Sequence, residues 1–137
     1  MATEASKPPA ASGDKGKTRV LVCEDDIPTL AQMQKTFQLL GCDVVTATTG
    51  TVALYKIRAE KYDLVLMDYN MPLKDASQTV IALAEHGKYT TPMILISAED
   101  HERDARELGF KAFYPKPITP AVAEKILLRF TNAKISK

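Results

Sequence analysis

Four short apolar runs in this chain lead into side chains that can carry charge or move a proton. Val20-Leu21-Val22-Cys23 runs into Glu24, Asp25 and Asp26, and Leu64-Val65-Leu66-Met67 runs into Asp68. Met93-Ile94-Leu95-Ile96 ends at Ser97, and Ala112-Phe113-Tyr114 is followed closely by Lys116. A carboxylate at the end of a buried run is costly unless something pairs with it. Carboxylates brought together repel, and the ordinary remedies are protonation or a cation. An all-oxygen group of two or three carboxylates suits Mg2+, which keeps waters and open positions. In such a site an aspartate can attack phosphorus and form an aspartyl phosphate. The cation and a lysine would neutralise the phosphoryl oxygens, and a serine hydroxyl would hydrogen-bond the product.

Singly, each residue has a plainer reading. Acids after the first run cap a helix, Asp68 precedes a turn, Ser97 means little, and a lysine is usually solvated. Their joint meaning depends on the elements that hold them. A fifth apolar run, Val44-Val45, completes a set of five, of which three are continuous, as expected for strands covered on both faces. Amphipathic segments alternate with them: Leu30, Met33, Phe37 and Leu40; Ala53, Leu54 and Ile57; Val80, Leu83 and Ala84; Val122, Ile126 and Phe130. Asp26 with Pro28 reads as a helix start, and Gly41 and Gly109 read as helix ends. Strand and helix alternating five times implies a doubly wound α/β domain over residues 18–130, a five-stranded parallel sheet with helices on both faces. Ligands of such sheets bind beyond the carboxyl ends of the strands. The acids, Ser97 and Lys116 are therefore expected at one rim, at the ends of strands 1, 3, 4 and 5.

Composition narrows the class of function. The 137 residues, 45% hydrophobic and 26% charged, suit one ordinary domain with a real core. A net charge of +1 gives no footprint for nucleic acid. No apolar run approaches the ~20 residues that span a bilayer, so no membrane role is expected. Without a hydrophobic signal region the chain reads as cytoplasmic. Cys23 and Cys42 lack CxxC spacing and read as buried reduced thiols. Met1 to Lys17 has the composition of a disordered leader. Residues 131–137 form a short tail, too short for an output domain, so a stand-alone monomer is expected.

With these residues in place, the chain resembles the receiver domain of two-component response regulators over residues 18–130. The motifs are "VCEDD", "MDYNMP", "ISAE" and "YPKP". The resemblance implies the strand order 2-1-3-4-5 shared with flavodoxins, and Asp68 as phosphoacceptor. It implies Mg2+ held by Glu24, Asp25, Asp68 and the backbone carbonyl of Asn70. Ser97 and Lys116 would contact the phosphoryl group, Ser97 and Phe113 would be the switch residues, and Lys116-Pro117 would be cis. It further implies a histidine kinase or histidine phosphotransfer protein as partner, with a possible downstream target. Their docking rim would comprise Ile27, Pro28, Gln32, Pro117 and Ile118. Asn70 and Glu99 would flank the path of hydrolytic water, as in the chemotaxis regulators of the family. The chain would act as a phosphorylation-dependent switch that binds a target, relays the phosphate or forms part of a hybrid kinase, with a non-phosphorylated scaffold as the runner-up. It would be no enzyme beyond its own phosphorylation and dephosphorylation.

Two departures stand out. Ala76 occupies the place where the family usually has Gly after "MPxxD". From Ser97 to Gly109 the chain advances 12 residues (109 − 97), short of the family's usual span by roughly one helical turn. The missing turn puts the usual output face in question and favours the start of helix 1 as a docking surface. "TATTGT" (Thr46 to Thr51) resembles a flavin phosphate loop, but it follows strand 2 and has Ala47 where a hydroxyl is wanted. A dehalogenase-type phosphatase would need a second acid at Asn70. His86 and His101 read as surface histidines without partners, and Met33, Met67, Met71 and Met93 as core.

Overall fold

The computed structural model describes residues 16–72, 74–86 and 89–135. The expected leader lies outside them except for Gly16 and Lys17, and so do the side chains of Ala84 and His86. Among the described residues strands and helices alternate: β1 (Arg19–Cys23), α1 (Ile27–Leu39), β2 (Asp43–Ala47), α2 (Gly50–Ala59), β3 (Leu64–Asp68), α3 (Ala76–His86), β4 (Met93–Ser97), α4 (Glu102–Leu108), β5 (Ala112–Pro115) and α5 (Pro120–Phe130). All neighbouring strands pair in parallel, in the order β2-β1-β3-β4-β5. The fold read from the sequence is the fold observed.

The continuous apolar runs are explained by what covers them. Successive strand residues point to opposite faces. Leu21, Cys23, Val65, Met67 and Leu95 pack into one buried cluster with residues of α2, α3 and α4. Val20, Val22, Leu64, Leu66, Ile94 and Ile96 pack into a second with residues of α1 and α5. Both cysteines are buried free thiols, and burial pushes the Cys42 thiol up to about 11. Met33, Met67, Met71 and Met93 fall in the same two layers.

Local chemistry sets the helix ends that frame the carboxyl rim. Asp26 caps α1 by accepting from the Thr29 N–H at 3.1 Å, with Pro28 in the first turn. Leu30, Met33 and Phe37 turn inward, and Gly41 follows the helix at φ 97. Thr49 caps α2 by accepting from the Val52 N–H at 3.1 Å, so "TATTGT" is a strand end and a helix cap. Gly50 is required there, because a Cβ would stand 1.6 Å from the Lys74 carbonyl oxygen. The start of α2 is thus pressed against the loop that follows Asp68. Ala76 opens α3 fully buried, and Asp75 caps that helix by accepting from the Gln78 N–H at 2.9 Å. The α4 helix has seven residues and ends at Gly109 with φ 93, matching the short stretch noted after Ser97.

Candidate functional site

Register brings the chemistry-bearing residues to one rim. Cys23 pairs with Met67, so Glu24 and Asp68 leave adjacent strands at the same height. Asp68 pairs with Ile96 and Ser97 with Pro115. The Lys116 N–H donates to the Ser97 carbonyl at 2.9 Å, tying the end of β5 to the end of β4. Lys116-Pro117 is a cis peptide bond.

Lys116 reaches across this rim. Its Nζ lies 2.8 Å from Glu24 Oε1 and 3.3 Å from Asp68 Oδ1. Glu24 is buried, and its other oxygen accepts from the Asp26 N–H at 3.1 Å. Asp25 is exposed, with Glu24 and Asp68 close by: one oxygen from each of the three lies within 4.8 Å of the others. Asp26 stays out of the group, turned to the start of α1, where the bonds from Thr29 hold its carboxyl below the usual range. The sequence had set it among the repelling acids; its capping role takes it away from them.

Asp68 is 5% exposed. Burial, then the Glu24 charge, pushes its carboxyl up to about 6, with Lys116 pulling the other way. Burial alone would lower the Lys116 ammonium, but its bonds to Glu24 and Asp68 outweigh that and hold it above its ordinary value. Ser97 is buried, and its Oγ accepts from the Glu99 N–H at 3.1 Å, which leaves the hydroxyl proton to donate elsewhere. This set of three oxygen donors, one of them solvent-facing, with an ammonium alongside, fits a hard divalent cation and a phosphoryl group.

The remaining expected residues are placed as follows. Asn70 is exposed beside Tyr69, and Glu99 has an 82% exposed side chain. Phe113 is half-buried, packed against the α2, α3 and α4 layer. Ile27, Pro28, Gln32 and Pro117 are exposed. Ile118 is a correction: expected on the exposed rim, it is 0% exposed, packed in the α1 and α5 layer. Its carbonyl accepts from Gln32 Nε2 at 3.2 Å, so the backbone there faces α1 while the side chain turns inward.

His101 is a second correction. It was read as a surface histidine without partners, but its side chain is 17% exposed and Nδ1 lies 2.8 Å from Asp104 Oδ2. Its ring stacks on Tyr69, centroids 3.8 Å apart and planes 11° from parallel. The sequence carried no signal for this contact, which joins two loops whose paths depend on the whole sheet.

Comparison with known proteins agrees with the geometry. The sequence matches the family model of the response regulator receiver domain over residues 20–127. It is 31% identical over 105 residues to the alkaline phosphatase synthesis transcriptional regulatory protein PhoP of Bacillus subtilis, covering 74% of this chain and 43% of that protein. The chain spans about half or less of the curated relatives it matches. Among solved structures, the Vibrio cholerae chemotaxis protein CheY4 superposes with a TM-score of 0.76 at 27% identity, covering 83% of this chain and 98% of that one. The receiver domain of the Pseudomonas aeruginosa sensor histidine kinase PA1611, with magnesium coordinated in its active-site cleft, shares the fold at 22% identity and a TM-score of 0.74, covering 83% and 97%. No helix among the described residues is long and apolar enough to cross a membrane.

Proposed function

The chain belongs to the response regulator receiver domain family of two-component signalling, and on that footing we propose that Asp68 accepts a phosphoryl group from a histidine kinase or histidine phosphotransfer protein. The observation that carries this is the Lys116 ammonium set against both Asp68 and Glu24, with Asp25 at the same rim. The receiver unit is taken as residues 18–130. Phosphorylation then changes what the chain binds, or the phosphate is relayed onward.

The attacking group is the ionised Asp68 carboxylate. One of its oxygens bonds to phosphorus as the phosphorus–nitrogen bond of the donor histidine breaks, and the imidazole leaves with a proton. Lys116 moves from Asp68 toward a phosphoryl oxygen while keeping Glu24, and the Ser97 hydroxyl donates to another. Mg2+ held by Glu24, Asp25, Asp68 and the backbone carbonyl of Asn70 would neutralise phosphoryl charge, a proposal supported by the donor set and by the magnesium described for PA1611. Ser97 and Phe113 make up the switch: as Ser97 turns to the phosphoryl group, Phe113 repacks. Asn70 and Glu99 flank the in-line path of hydrolytic water.

Incubation with a phosphorylated histidine kinase tests this reading. Transfer of label to the wild type and to Phe113→Ala, but not to Asp68→Asn, is expected. Transfer that persists in Asp68→Asn overturns it.

A further inference from the structure

Tyr69 follows Asp68 directly and precedes Asn70. His101 stands two residues beyond Glu99 and is the N-cap residue of α4, yet it makes no side-chain capping bond. Its ring is committed instead to the stack on Tyr69, 3.8 Å between centroids. The 2.8 Å contact of Nδ1 with Asp104 Oδ2 fixes the ring from behind and assigns the proton to Nδ1. Nε2 is buried, without a hydrogen-bond partner among the described residues, and lies 3.8 Å from Glu99 Oε1. The stack therefore ties together two loops, one carrying Asn70 and the other carrying Glu99.

We infer that the Tyr69–His101 stack is a positioning contact that fixes the gap between Asn70 and Glu99 and so restrains hydrolysis of the aspartyl phosphate. The inference rests on the reading of Asp68 as phosphoacceptor. In hydrolysis, water attacks phosphorus as the bond to the Asp68 oxygen breaks. The carboxylate leaves, inorganic phosphate forms, and the water's proton passes to solvent. Two loops held in fixed relation by the stacked rings keep Asn70 and Glu99 in place, and water between fixed side chains reaches phosphorus in fewer orientations. Tyr69 and His101 act through this spacing without touching the reacting atoms.

The test labels the full chain with acetyl phosphate and Mg2+, removes the donor, and follows decay on phosphate-affinity gels. His101→Ala and Tyr69→Ala break the same contact from opposite sides, so loss of fold in one leaves the other. Each should decay about two- to tenfold faster than wild type, the scale of one aromatic pair. The double variant should decay no faster than either single one, and Tyr69→Phe, which keeps both rings and the His101–Asp104 contact, should match the wild type. Decay unchanged or slowed by both alanine variants, additive effects in the double variant, or faster decay of Tyr69→Phe than of the wild type overturns the inference. Failure of the wild type to label at all would overturn the phosphoacceptor reading instead, so the two are separable.

Discussion

Lys116 Nζ lies 3.3 Å from Asp68 Oδ1, joining the end of β5 to the end of β3 across the intervening β4. The same ammonium holds the buried Glu24 at 2.8 Å. Removing it leaves two buried carboxylates without their cation. Lys116→Ala should therefore destabilise the protein by about 3 kcal/mol in the absence of divalent cation. Urea unfolding with chelator present would show a midpoint lowered accordingly. Added Mg2+ should recover part of the loss, and labelling by acetyl phosphate should persist at a reduced extent. An unchanged midpoint would mean that the lysine is not balancing these acids.

The acids themselves supply a second expectation. Glu24, Asp25 and Asp68 share one rim, with Asp68 pushed up to about 6, and their mutual repulsion is on the order of 1–3 kcal/mol. Millimolar Mg2+ should raise the melting temperature by about 3 °C or more. Asp25→Asn and Asp68→Asn should do the same in chelator. A carboxyl raised in the folded state contributes stability at low pH that is lost as pH rises through about 6. The gain from Asp68→Asn should thus be largest at pH 8 and shrink toward pH 4. A gain that grows as pH falls would contradict this.

Much of this was legible in the sequence because the period of the fold is written in it. Runs such as Leu64–Met67 are apolar throughout since α-helices cover both faces of the sheet, and the strand ends then place Glu24, Asp25, Asp68, Ser97 and Lys116 together. Ile118 was misplaced because nothing local tells which way a side chain turns just after β5; burial against α1 and α5 decides it. The Asp26 capping bond was readable from its spacing to Pro28, and the same bond removes it from the acid cluster. His101 and Tyr69 are 32 residues apart (101 − 69) on separate loops, and only the folded sheet brings their rings together.

We propose that the phosphodonor docks at the start of α1, which gives a third expectation. Ile27 is 62% exposed beside the acids. Ile27→Glu should slow transfer from the kinase about tenfold, the weight of one central apolar contact. Labelling by acetyl phosphate should be unaffected, since the small donor needs no docking surface. Ile118→Glu serves as contrast: a charge forced into that buried position should lose both activities through unfolding. Equal loss of both activities in a folded Ile27→Glu would remove α1 from the docking surface.

Lifetime is the fourth. On the proposed reading, the exposed Asn70 and Glu99 flank the approach of water opposite the Asp68 oxygen, and an amide can orient it. The phosphoryl group should persist for seconds to minutes. Asn70→Arg or Glu99→Tyr should lengthen that by crowding the approach. Timed decay after donor removal reads this directly, and a lifetime of hours that neither substitution alters would contradict it.

The central claim is that Asp68 is the phosphoacceptor, and intact mass spectrometry under excess acetyl phosphate tests it most directly. With Mg2+, the wild type should gain the mass of one phosphoryl group, and none with chelator. Asp68→Asn should gain none under either condition, while Asp25→Asn and Lys116→Ala should gain less than wild type. An Asp68→Asn protein that takes up the phosphoryl group as the wild type does would contradict the assignment.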